Sequence, residues 1–169
     1  MRINFKKETL QVYLEQLSSK APVPGGGSAG ALSAALGAGL VSMVTNYSIG
    51  RKGNGAALDA RLCTLLKANE TMRLRLLDLI SLDSAAYLNI VAARKLDVKA
   101  RKKAAQEAHQ VGTEVCRLCY KVVQYIPFLV NKGNPYLLSD LEAAAELLMA
   151  GFNTSLVFVK LNDPKKIKS

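Results

Sequence analysis

Apolar residues recur along this chain at helical spacing and nowhere alternate for the length of a strand. Leu10, Tyr13, Leu14 and Leu17 stand at i, i+3, i+4 and i+7, which predicts an amphipathic helix over residues 5–18. A second helix is expected over residues 28–49, with Ser28 as its N-cap and Gly50 as its stop. Its small residues, among them Ala31, Ala35 and Gly39, lie on several faces, so neighbouring backbones can approach closely. After a polar turn at residues 52–55 the period returns from Ala57. Leu62, Leu65, Leu66, Met72, Leu76 and Ile80 form one stripe, with Asn69 its polar member before Asp83. That pattern continues through Tyr87, Ile90 and Val91, with a bend expected near Ser81. Residues 94–103 connect to a further helix whose stripe is Ala108, Val111, Val115, Leu118 and Val122. Pro127 should kink or end it, because an interior proline loses a hydrogen bond and clashes with the turn before it. Gly133 closes that element, Asn134 caps the next with Pro135 at its first position, and the last helix reaches about Val159. The pattern predicts one all-α domain over residues 1–169, an antiparallel bundle of about five long helices.

Composition agrees with closely packed helices: half of the 169 residues are apolar, aromatics are few and tryptophan is absent. The formal charge of +10 adds an attraction for anionic partners. Its densest clusters are Arg94–Lys103 and Lys165–Lys168, and most of these residues read as solvated surface. No nucleic-acid-binding motif accompanies them, so nucleic acid is not an expected partner. Three cysteines and an N-terminal stretch without a signal-peptide core fit a reducing cytosol, so a cytoplasmic location is expected. The run 29–44 is too short and too rich in Ala, Gly and Ser to read as a membrane span. It is expected to be a buried central helix, with no membrane partner.

The first candidate for chemistry is the loop Pro22-Val23-Pro24-Gly25-Gly26-Gly27-Ser28, which makes a defined turn into the small-residue helix. Backbone N–H groups at such a helix start favour an anion or polar ligand, although a plain interhelical turn explains the residues equally well. Residues 25–30 match G-x-G-x-x-G literally. No strand precedes them and no acid follows before Asp59, so a dinucleotide fold is rejected. Asp83 is the second candidate. In an unbroken helix it shares a face with Ile80, Tyr87 and Ile90, and a carboxylate on an apolar stripe acquires the raised pKa of a general acid/base. At a helix break near residues 81–84 it would instead be an N-cap. Cys116-Arg117-Leu118-Cys119 is a C-x-x-C, but Cys63 is the one remaining thiol and the strand–helix setting of a redox motif is missing. These cysteines and His109 are read as packing and hydrogen-bonding residues, and no metal is expected. Asn134, as a cap, and Asp140, near a helix start, explain themselves structurally.

Together these residues resemble the cyclodeaminase/cyclohydrolase family. The resemblance runs from Pro22-x-Pro24-Gly25-Gly26-Gly27-Ser28 through Ile49-Gly50-Arg51-Lys52, Asp83-x-x-Ala86-Tyr87 and Ala93-Arg94-Lys95-Leu96 to Gly133-Asn134-Pro135 and Ser139-Asp140. It implies a helical bundle that forms a homodimer and takes a tetrahydrofolate derivative as substrate. Asp83 would be the catalytic residue. Pro24, Gly25, Gly26, Gly27 and Ser28 would position the folate through backbone amides, with Asn134 and Asp140 as further substrate contacts. Arg51 and Lys52 would meet its glutamate tail, single or polyglutamylated, with Arg94 and Lys95 as secondary candidates. The first expected reaction is closure of 5-formimidoyltetrahydrofolate to 5,10-methenyltetrahydrofolate with loss of ammonia, in a free-standing version of the domain. Its rivals are hydrolysis of the methenyl compound and a non-catalytic folate-binding helical protein. The chain departs from the family pattern in its last helix, where Phe158-Val159 stands in place of Asn-Val before Asn162.

Overall fold

The computed structural model describes residues 4–167. Met1 to Ile3 of the N-terminal stretch and Lys168 of the basic tail lie outside them. Six α-helices follow in order: α1 Leu10–Ser18, α2 Gly26–Asn46, α3 Ala56–Ala93, α4 Val98–Val123, α5 Ile126–Lys132 and α6 Leu138–Leu161, with no strand among the described residues. The expected all-α bundle forms, its length carried by α2, α3, α4 and α6. Each of these packs antiparallel along two neighbours: α2 lies between α3 and α6, and α4 closes the ring on the other side. Gly27 meets Asp83 and Gly151 meets Ala34, while Arg75 reaches Glu114 and His109 reaches Val159, contacts that set all four registers.

α2 is apolar because it is enclosed. Ala31, Ala34, Ala38, Val41 and Val44 are wholly buried, and so are its polar members Ser28 and Thr45. By length and hydropathy α2, α3 and the stretch 135–166 would each suffice to cross a membrane. In α2 that apolarity is used against its neighbours inside the bundle. Its contact with α6 is backbone-close: a Cβ on Gly151 would meet the Ala34 nitrogen and the Gly30 oxygen at 2.9 Å, and one on Gly37 would meet the Ala144 oxygen at 2.9 Å. Larger residues at these points would push the helices apart, which is the physical reason for the small-residue pattern.

Several local expectations change. Ser28 is not the N-cap of α2: Gly25 is, and the glycines at 26 and 27 are helical, so Ser28 lies inside the first turn and is fully buried. α2 ends at Asn46, and Gly50 serves the turn beyond it with φ +68°, a left-handed conformation that glycine adopts at no steric cost. α3 is unbroken through Ser81, so Asp83 is interior to a helix and not an N-cap. The first predicted helix is split into a 3-10 turn, Phe5–Lys7, and α1, whose cap is Thr9; its Oγ1 accepts the Val12 amide at 3.2 Å. Of its stripe, Tyr13 is buried while Leu10 and Leu14 are exposed. Pro127 does end α4: the last residue of that helix, Val123, is the one whose carbonyl a proline at 127 can neither bond nor clear, and Pro127 itself sits in the first turn of α5, where its missing N–H costs no bond. Asn134 does cap, but what it caps is a 3-10 turn, Pro135–Leu137, ahead of α6.

Candidate active site

Asp83 projects from the middle of α3 onto the first turn of α2. The approach is so close that a Cβ on Gly27 would overlap its carboxylate, lying 2.6 Å from Cγ. Gly27 is therefore needed for lack of bulk, and the sequence G-G-G-S admits the acid where any side chain would exclude it. The backbone N–H of Ser28, one of the first-turn amides without a helical acceptor, faces the carboxylate and lowers its pKa. Burial outweighs that effect and pushes the pKa up to about 6.

The supporting layer comes from the N-terminus. Tyr13 is buried, with its hydroxyl 3.0 Å from the Ser28 hydroxyl, and its pKa is raised by burial and, further, by the charge of Asp83. Phe5 stacks edge-on against Tyr13, ring centroids 5.6 Å apart, and its amide donates to Ser81 Oγ at 2.9 Å. These contacts tie α1, α2 and α3 together behind the carboxylate.

In front of Asp83 lies a cleft of about 460 Å³. One wall is Pro22, Val23 and the glycines 25–27; the others bring Tyr87, Ile90 and Phe158. The Val23–Pro24 peptide is cis. Phe158 lies over Gly26, its Cζ 2.9 Å from where a Cβ would stand. Phe158, where the resemblance leads one to expect Asn, is thus part of the cleft wall. Farther out the cleft is edged by Arg94, Leu161 and Asn162.

The structure thus unites Asp83 with the loop and leaves the other candidates elsewhere. Arg51, Lys52, Asn134 and Asp140 lie at the far end of α2, roughly 30 Å along its axis from Gly26. There Arg51 donates to the Gly133 carbonyl at 2.9 Å and the Asn134 amide donates to Ser48 Oγ at 2.8 Å, contacts that knit the end of the bundle. Within one chain none of these reaches Asp83. Pro24 belongs to the turn, although the wall itself is formed by its neighbours. Arg94 is beside the cleft. Tyr13, Phe158 and Asn162 were not picked out as site residues. Tyr13 reads in sequence as one more member of an apolar stripe, and Phe158 is flagged only by its departure from the family pattern.

The C-x-x-C plays no part here. Cys116 and Cys119 are buried free thiols in the α4 core, Cys119 with its pKa pushed up to about 12 by burial, whereas Cys63 is exposed. His109 lies within hydrogen-bond distance of the Val159 carbonyl, Nδ1 to O 3.0 Å. Among the described residues no group of three or more His, Cys, Asp and Glu side chains could hold a metal ion.

A helical bundle with one carboxylate set in a cleft against a glycine turn defines a class: helical proteins that hold a single ionisable group beside a concave pocket. Residues 9–168 match the sequence pattern of the family described as formiminotransferase-cyclodeaminase, and the chain belongs to that family. It is 35% identical to a methenyltetrahydrofolate cyclohydrolase of Methylorubrum extorquens over 92% of this chain and 79% of that protein. It is 31% identical to the formimidoyltransferase-cyclodeaminase of Rattus norvegicus over 85% of this chain but 28% of that protein's length. The crystal structure of formiminotetrahydrofolate cyclodeaminase from Thermotoga maritima superposes with a TM-score of 0.90 at 28% identity, covering 94% of this chain and 79% of that one.

Proposed function

We propose that this chain is a folate enzyme acting on the one-carbon bridge between N5 and N10, with Asp83 as its general acid/base. The observation that carries this reading is the half-buried carboxylate, at about pKa 6, facing a cleft lined by the glycine turn. At neutral pH such an acid is mostly ionised yet readily protonated, which suits it to accept one proton and return another.

The reaction we favour is hydrolysis of 5,10-methenyltetrahydrofolate, supported by the cyclohydrolase relative that aligns over most of both chains. The methenyl carbon carries a positive charge shared with its two nitrogens. Ionised Asp83 stabilises that cation, then takes a proton as water adds to the carbon. Returning the proton to one nitrogen breaks its bond to carbon while the hydroxyl proton of the adduct is lost to solvent water, which leaves a formyl group on the other nitrogen. Cyclodeamination is the second reading, supported by the likeness to the Thermotoga maritima structure. It uses the same groups: Asp83 takes the N10 proton as N10 attacks the formimidoyl carbon, and protonates the nitrogen that departs as ammonia.

Methenyl absorbance separates the two. It falls when the purified protein meets methenyltetrahydrofolate if hydrolysis is the reaction, and rises from 5-formimidoyltetrahydrofolate if cyclodeamination is. No change with either compound, with the protein folded, would refute the proposal.

A further inference from the structure

The cleft at Asp83 is not the only hollow that Arg94 lines. Beyond Ile90, Leu161 and Asn162, which line both, lies a second chamber of about 320 Å³, where α3 ends, α4 begins and the C-terminal 3-10 turn Pro164–Lys166 folds back. Both hollows share these four residues and therefore adjoin. Their characters differ. The first is an apolar slot around one acid; the second is lined by Arg94, Arg101 and Lys166 against a single carboxylate, Asp163. Asp163 Oδ1 is engaged in accepting the Lys165 amide at 2.9 Å.

None of the ion pairs among the described residues uses Arg94, Arg101 or Lys166. The Nε of Arg101 is buried with no hydrogen-bond partner, and Lys166 donates to the Lys160 carbonyl at 2.6 Å. Buried donors of a charged group left unpaired by protein are costly, and an anion in this chamber would remove that cost. Asp83 and Arg94 lie on one face of α3, about 16 Å apart along its axis. In a folate a p-aminobenzoyl ring and one amide separate the reacting nitrogens from the first tail carboxylate, a rigid spacer that is shorter than this axial rise and covers it only together with the reach of an extended arginine side chain.

Resting on the folate reading above, we propose that this chamber binds the glutamyl tail, with Arg101 and Lys166 holding its carboxylates and Arg94 at the mouth. Arg51 and Lys52, far along the bundle, are not the tail's partners within one chain. The outer row Lys99, Lys102 and Lys103, in the first turns of α4, would follow the later residues of a polyglutamate chain.

Calorimetry with p-aminobenzoyl-triglutamate tests this without requiring turnover. The wild-type protein binds it; Arg101→Gln and Lys166→Gln each weaken binding at least tenfold, Arg101→Lys weakens it less, and Lys121→Gln leaves it unchanged. Matching circular dichroism and Tm show that the variants fold. In turnover, Arg101→Gln raises KM for a glutamylated substrate with kcat unchanged and leaves the tail-less tetrahydropteroate analogue unaffected. Equal binding by wild type and Arg101→Gln, or no binding of the triglutamate by wild type, overturns the proposal. Arg101-dependent binding without turnover of any folate would sink the reaction and leave the chamber standing. Turnover with an unaltered KM in Arg101→Gln would do the reverse.

Discussion

Asp83 is kept where it is unfavourable. Its carboxyl is raised from 3.8 to about 6 because the folded protein desolvates the charge. Between those values the unfolded chain has released the proton and the folded chain has not, so stability falls as pH rises through this window, and the full penalty stands above it. Asp83→Asn should therefore be more stable than wild type at pH 7.5, by roughly 1–3 kcal/mol, and no more stable below pH 4. Thermal melts across that range check it. The same variant should lose about 10²- to 10⁴-fold in kcat, together with the limb of the pH–rate profile near 6. An unchanged kcat would remove Asp83 from the mechanism. Gly27→Ala acts on the same atom from the other side: its Cβ must displace the carboxylate, so activity should fall much as in Asp83→Asn but without the gain in stability.

Among the elements, α2 and α6 set the tolerances. Their backbones meet through Gly30, Gly37 and Gly151, and Gly151→Ala puts a methyl against the Ala34 nitrogen and the Gly30 oxygen. It should cost about 1–3 kcal/mol in urea unfolding, despite alanine's better helix propensity. Such close packing was readable before any coordinates, since small residues on several faces of one helix leave little else for it to do. The all-α class and the buried stripe of α3, Leu62 to Ile80, were readable for a similar reason: long periods average out local error. Boundaries were not. Three consecutive glycines leave open which residue caps α2, and Pro127 can close one helix or open another. The grouping of candidates was half legible. Asp83 and the glycine turn meet, but Arg51 and Asn134 share only a family motif with them; a long helix separates the two groups, and sequence order carries no record of that distance.

At the scale of the whole molecule the +10 charge works at long range. Exposed charges beyond a Debye length are screened, so raising salt from 20 to 300 mM should raise KM for an anionic folate severalfold and leave kcat nearly constant. Steady-state kinetics at several ionic strengths check this. The ion pair of Arg75 with Glu114, bidentate at 2.9 and 2.8 Å, joins α3 to α4 locally and should contribute at most about 1 kcal/mol, because both side chains are partly exposed.

The one exposed thiol has a practical bearing. Cys63 stands on α3 roughly 30 Å from Asp83 by helix rise, and the other two sulfurs are shut inside the bundle. A maleimide dye should attach at that single place and leave the cleft untouched. Since the chain has no tryptophan to report on its own state, it carries a ready anchor for watching ligand capture by fluorescence.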